Sequence, residues 1–123
     1  MSRREIESNL ESNSNTESKT ERYQRLLFER LVNAIYNNGN LKDIEGIIKL
    51  GVDVNLADNN GYTPLYIASQ QGRLEVIKVL LAAGGIVNKA DNDGNTALFI
   101  ANQNGHLKIV NYLIAAGGIV TLK

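Results

Sequence analysis

The sequence has no cysteine and no tryptophan, and only one proline and one histidine. Without cysteine, disulfides, thiol catalysis and zinc–thiolate sites are excluded. The single histidine, His106, has no Asp or Glu at ligand spacing beside it. It therefore lacks the partners that catalysis or metal binding requires, and reads as a structural or surface residue. No sign of charge is in excess, since 13 Lys and Arg balance 13 Asp and Glu. A nucleic-acid surface needs cations that displace counterions, and no basic run is longer than Arg3-Arg4. No apolar stretch approaches the ~20 residues that span a bilayer. The polar stretch from Ser2 to Arg25 holds no signal-peptide core. These absences argue for a soluble, cytoplasmic chain without metal or cofactor, and against nucleic-acid and membrane partners.

What remains is an ordinary globular composition, 43% hydrophobic and 21% charged over 123 residues, enough for one small domain. Residues 1–20 are rich in Ser, Asn, Glu and Thr, with Ile6 and Leu10 the only large apolar residues after Met1. So little apolar surface cannot offset chain entropy, and a disordered polar tail is expected. From Glu21 the character changes. Tyr23, Leu27, Leu31 and Ile35 recur every four residues, with Leu26, Phe28 and Ala34 alongside, which predicts an amphipathic helix. Asn37-Asn38-Gly39 predicts its end.

The strongest signal is self-similarity. Residues 58–90 set over 91–123 without a gap are identical at seventeen of 33 positions. Residues 39–57 match the second part of the same unit, with Gly39-Asn40-Leu41 over Gly72-Arg73-Leu74 and Val54-Asn55 over Val87-Asn88. A period of this size predicts a stacked array. Within one unit, Asp58-Asn59-Asn60-Gly61 is turn chemistry. Thr63-Pro64 opens a helix as N-cap and first residue, and Gly72 ends it after about two turns. A second helix is expected from about Leu74 to Ala83, burying Leu74, Ile77, Leu80 and Leu81, with Gly84 in the C′ role. Neither helix is long enough to be stable alone, so each unit must stack on a neighbour.

The pattern D-x-x-G-x-T-P-L-x-x-A, then G-x-L-x-x-x-x-x-L-L, then G-x-x-V-N resembles the ankyrin repeat. One copy carries it as Asp58, Gly61, Thr63, Pro64, Leu65, Ala68, Gly72, Leu74, Leu80, Leu81, Gly84, Val87 and Asn88. The next carries Asp91, Gly94, Thr96, Leu98, Ala101, Gly105, Leu107, Leu113, Ile114, Gly117 and Val120. The resemblance covers about residues 26–123 and implies an all-α repeat solenoid. Its units would be stacked helix-turn-helix ankyrin-like repeats with short β-hairpin loops. The expected division is a tail over 1–20, a degenerate N-terminal capping repeat over 21–57, and repeats over 58–90 and 91–123, the last uncapped. Three departures stand out. Tyr66 and Phe99 occupy the place of the family's hydrogen-bonding His, so aromatic packing must substitute for it. Gly84-Gly85 and Gly117-Gly118 carry one more glycine than usual, at some cost in order. The first unit has one residue more between Ala34 and Gly39 than the later copies. Near the last repeat, Ile109, Tyr112 and Leu122 are expected to be partly exposed, which suggests self-association through the C-terminal face, a partner covering that end, or truncation of a longer array.

Two motifs are set aside. Asp91-Asn92-Asp93-Gly94-Asn95 resembles the start of a calcium loop, but Gly94 is fourth rather than sixth and Asn102 stands where an acid is needed. Asn55 and Asn88 read as turn asparagines. The resemblance implies protein–protein recognition through the concave face. On that face it places Asn59, Asn60, Tyr62, Gln70 and Gln71, then Asn92, Asp93, Asn95, Gln103 and Asn104. Tyr62 is the anchor expected of an interface. An amide-rich, nearly neutral face predicts association with little salt dependence. The expected function is a non-enzymatic scaffold or adaptor for a protein partner that the sequence does not identify. A regulatory or inhibitory subunit and a truncated remnant of a longer array are the alternatives. The abundance of Asn, Ile and Lys fits an AT-rich genome, and a secreted effector acting in a host cell is a sub-class of the same reading.

Overall fold

A computed structural model describes residues 16–120. Most of the expected tail, residues 1–15, and Leu122 lie outside the described residues. Six helices follow in order: α1 (Lys19–Tyr36), α2 (Leu41–Lys49), α3 (Pro64–Gln71), α4 (Leu74–Ala82), α5 (Ala97–Gln103) and α6 (Leu107–Ala115). They form three helix pairs. The first members pack in sequence, α1 on α3 and α3 on α5, and make an inner layer. Among the second members, α2 packs on α4. No strand occurs among the described residues. The core runs through the stack from Leu27, Leu31 and Ile35 of α1, through Ile44, Ile67, Ile77 and Leu80, to Ile109 and Leu113 of α6.

Local chemistry fixes the helix ends. α1 starts earlier than apolar spacing predicts, taking Lys19 and Thr20 from the expected tail. Ser18 Oγ accepts the Glu21 N–H at 3.1 Å, and the Glu21 carboxylate accepts the Ser18 N–H at 3.3 Å. This reciprocal cap satisfies two orphan amides and needs no apolar residue. Thr63 and Thr96 cap α3 and α5 through the amides of Tyr66 and Phe99. α4 and α6 have no side-chain cap.

At the other end of α4, the Gly85 N–H reaches Leu80 O at 2.9 Å and the Gly84 N–H reaches Leu81 O at 3.1 Å. Gly84 adopts the left-handed conformation, with φ of 97°. This bond pair closes the helix and satisfies two orphan carbonyls. The second glycine has a use that composition did not suggest. A Cβ on Gly85 would lie 2.9 Å from Leu80 O, and one on Gly118 would lie 2.7 Å from Leu113 O.

Several expectations are corrected. The additional residue of the first unit falls at the turn between the first two helices. Asn38 takes the left-handed position, with φ of 58°, that Gly72 and Gly105 take later. The Gly39 N–H bonds to Ala34 O just as Arg73 N–H bonds to Ala68 O. Asn40 stands at the start of α2 as Arg73 stands at the start of α4, and it caps α2 through the Asp43 amide. Tyr23 continues the apolar stripe in spacing but is 48% exposed, its hydroxyl donating to Leu50 O. In α4 the buried residues are Val76, Ile77 and Leu80, while Leu74 and Leu81 are half-buried. Ile109 is buried rather than partly exposed, because it turns inward into the shared core. Tyr112 is half-buried, with the Lys78 ammonium 5.6 Å from its ring centre.

Candidate partner-binding face

The two turn tips share one geometry. In the first, the Asp58 N–H donates to Tyr62 O at 3.0 Å, and Asp58 Oδ1 accepts the amides of Asn60 and Tyr62. In the second, the Asp91 N–H donates to Asn95 O at 2.8 Å, and Asp91 Oδ1 accepts the amides of Asp93 and Asn95. A carboxylate oxygen thus takes the place of the second carbonyl of a hairpin, and each tip closes without a strand ladder. The Asp91 side chain is engaged in this turn, which is the physical content of the calcium-like motif. The tips are bound to each other as well. The Asn92 backbone N–H donates to Asn60 O and its side-chain Nδ2 to Asn59 O, at 3.0 and 2.7 Å. Gly61 is required at the crossing: its φ is 82°, and a Cβ would stand 2.8 Å from the Asn92 nitrogen.

Below the tips, Tyr62 stacks on Tyr66 with ring centres 4.3 Å apart and planes within 9°. Tyr66 is buried. Burial, and then the nearby negative charge of Asp91, push its hydroxyl pKa above the ordinary phenol range. Tyr36, at the end of α1, is 43% exposed. Its pKa is also raised, by burial first and then by Asp58 and Tyr62. Tyr36 was not among the residues expected on this face. Only the proximity of α1 to α3 brings it there, and no motif marks it.

The ten expected residues divide into two groups. Asn59, Asn60, Gln71, Asp93 and Gln103 are exposed, and Tyr62 and Gln70 are half-buried, with the Tyr62 side chain held by Tyr66 through ring stacking and a hydrogen bond. Asn92 and Asn104 instead spend their side-chain amides on the preceding unit, Asn104 Nδ2 donating to Gln70 O at 3.2 Å. Asn95 is half-buried, its backbone N–H held by Asp91. His106 also serves the scaffold. Its Nε2 lies 3.1 Å from Gln70 O, so the proton belongs on that nitrogen. Arg73, at the equivalent position one unit earlier, donates from Nη2 to Gly39 O at 2.6 Å. Its Nη1 is buried without a partner.

A second set of tethers runs along the opposite ends of the units. Asn55 Nδ2 donates to Gly84 O, and its Oδ1 accepts the Ile86 N–H. Asn88 makes the same two bonds to Gly117 O and the Ile119 N–H. The first rung comes from a helix: Gln24 of α1 donates to Gly51 O and accepts the Asp53 N–H. Gln24 thus performs in the first unit what a loop asparagine performs in the others.

Three stacked helix pairs, two of them with the same tip and all joined by equivalent tethers, form the structure of a repeat protein, and a family comparison decides which one. The model for ankyrin repeats, in three copies, matches residues 31–123, about three quarters of the chain. The chain belongs to the ankyrin-repeat family. No curated protein matches it in sequence. Ankyrin repeats are generally protein–protein interaction modules and are typically non-enzymatic. In this ankyrin stack, the Tyr62–Tyr66 pair joins the first tip to α3. Among the described residues no helix is long and apolar enough to cross a membrane, and no group of His, Asp and Glu is placed to hold a metal ion.

Proposed function

We propose that this chain is a scaffold or adaptor that holds a protein partner against its two turn tips and the exposed side of α3 and α5. One observation carries the reading. Tyr62 is a half-buried aromatic fixed by its stack on Tyr66, beside exposed amides that the scaffold leaves unbonded. A pre-ordered ring loses little entropy on binding, and such rings dominate interface energetics. A cytoplasmic site of action belongs to the same reading, and immunoblotting of cell fractions checks it.

The test is affinity capture from the native cell with the wild-type chain and with Tyr62→Ala, each confirmed as folded by its thermal melt. Loss of specific partners on Tyr62→Ala is expected. Equal recovery of the same partners with both proteins would place the binding face elsewhere. Adding the recovered partner's own activity assay separates tethering from inhibition, because a tether leaves that activity unchanged.

Self-association is a second reading, favoured by Leu107, Ile119 and Val120 at 66%, 64% and 60% exposure. The last two line a cavity of about 130 Å³ with Leu98, Phe99 and Val110. Sedimentation equilibrium of wild type and Ile119→Asp tests it. A wild-type chain that stays monomeric at high concentration rules it out.

A further inference from the structure

Charge is sorted between the two sides of the stack, although the chain as a whole is neutral. Residues 58–72 and 91–105 make both tips and both inner helices of the full repeats. They contain three aspartates, and no lysine, arginine or glutamate. The cations of these repeats lie elsewhere. Lys78 and Lys108 are on the outer helices α4 and α6. Arg73 is bound to Gly39 O and Lys89 to Asn55 O. The ion pairs among the described residues join Glu17, Arg22, Arg25 and Glu29, and Glu75 with Lys78. None involves Asp58, Asp91 or Asp93.

A partner can reach two of the aspartates, half-buried Asp58 and exposed Asp93. Asp58 closes the tip that presents Tyr62. The half-exposed Tyr36 ring lies within electrostatic reach of Asp58. A guanidinium or ammonium placed there gains an ion pair with the carboxylate and a contact with a ring face. An anionic segment would meet like charge, with no cation in the tips and inner helices of the two full repeats to offset it.

We propose that the partner segment taken by this face is basic, a lysine- or arginine-bearing stretch of protein. Its cations sit against Asp58 and Asp93, with Tyr62 beside the first of them. This inference rests on the binding face proposed above and adds its charge. It also reverses the expectation of weak salt dependence, which rested on the amides of the face.

The test uses the ¹⁵N-labelled full chain and two synthetic peptides. One alternates arginine with serine; the other alternates glutamate with serine. Titrations are run at about 20 mM and about 200 mM salt, conditions that bracket strong and weak screening. The arginine peptide is expected to shift amides of residues 58–62 and 91–95, and to leave those of α4 and α6 in place. Its affinity should fall at the higher salt, and the glutamate peptide should not bind. Asp93→Asn, whose side chain bonds nothing in the fold, should weaken arginine-peptide binding about three- to tenfold. Glu75→Gln, on the outer side, should leave the affinity unchanged. Shifts centred on α4 and α6, equal binding of both peptides, or an unaltered affinity for Asp93→Asn would each overturn the proposal. Its failure is distinguishable from failure of the binding face. Partners lost on Tyr62→Ala, together with an arginine peptide that does not bind, would leave the face standing and remove its basic specificity.

Discussion

The second and third units share seventeen of 33 residues and the same helix pair, and the structure treats them differently. Tyr66 is buried, while Phe99 at the same position is half-buried. Ser69 is wholly buried, its hydroxyl donating to Leu65 O, while Asn102 is exposed. Ile77 is wholly buried, while Val110 is half-buried. Leu74 is half-buried and Leu107 is among the most exposed apolar residues described. The cause is position in the stack. α3 lies between α1 and α5, whereas among the described residues α5 has an inner-layer neighbour only in α3. A repeat has two apolar flanks, and how many are covered depends on what stands beside it.

That contrast predicts a hierarchy of mutational costs. Ile77→Ala should destabilise by about 2–5 kcal/mol through lost transfer energy and a residual cavity. Val110→Ala should cost no more than about half as much, because solvent already reaches that site. Urea denaturation measures both, and equal costs would show that the two flanks are equivalent in solution.

A reciprocal exchange probes the inner helices. Ser69→Asn adds atoms where there is no exposed surface and should cost about 1–3 kcal/mol. Asn102→Ser should stay within about 0.5 kcal/mol. If Ser69→Asn is also neutral, α3 and α5 are less closely packed than their geometry indicates.

The tyrosine at position 66 gives the second unit a pH dependence that Phe99 cannot give the third. Its folded-state pKa is raised, so above the ordinary phenol value near 10 the unfolded chain releases a proton that the folded chain keeps. Stability is therefore full below that pH and falls as pH rises, by at most about 1.4 kcal/mol per pH unit from this group. Tyr66→Phe should flatten the alkaline limb of a plot of stability against pH, and an unchanged limb would assign the loss to other groups.

The smallest effects are expected at the flank positions. Leu74→Ser should cost about 1 kcal/mol, from loss of partly buried apolar area. Leu107→Ser should lie within about 0.5 kcal/mol. A larger cost at Leu107 would reveal a contact that covers it in solution, as self-association would.

Much of the architecture was legible because its signals are local. Thr63-Pro64, Gly72, Gly84 and the Asp-x-x-Gly tips each fix a cap or turn within a few residues, and the 33-residue period reports their recurrence. The early start of α1 was missed because its cap, Ser18 with Glu21, uses polar residues that apolar spacing ignores. The role of Gln24 was missed for a different reason. It bonds Gly51 and Asp53 from a helix, and no repeat of sequence connects it with Asn55 and Asn88. Of the expected face, Asn59, Asn60, Gln70, Gln71, Asp93 and Gln103 keep side chains free of the scaffold. Asn92 and Asn104 do not, and only the distance to the preceding unit's carbonyls reveals it. Tyr36 entered the face through packing of α1 against α3, which no local pattern encodes.

The sequence by itself determined the full repeat unit: where the helices of the two full copies are capped, where glycine must turn the chain, and that the unit must be stacked to be stable. Hydrogen-bonding groups and backbone freedom act over a few residues, so a linear pattern is enough to specify them. The tertiary structure alone decided which copy of a repeated residue is buried, which asparagines tie the units together and which remain open. It also gathered three aspartates on a side of the stack that has no cation in its two full repeats. Those properties depend on what lies next in space, and identical residues acquire different neighbours when the same unit is stacked at a different place.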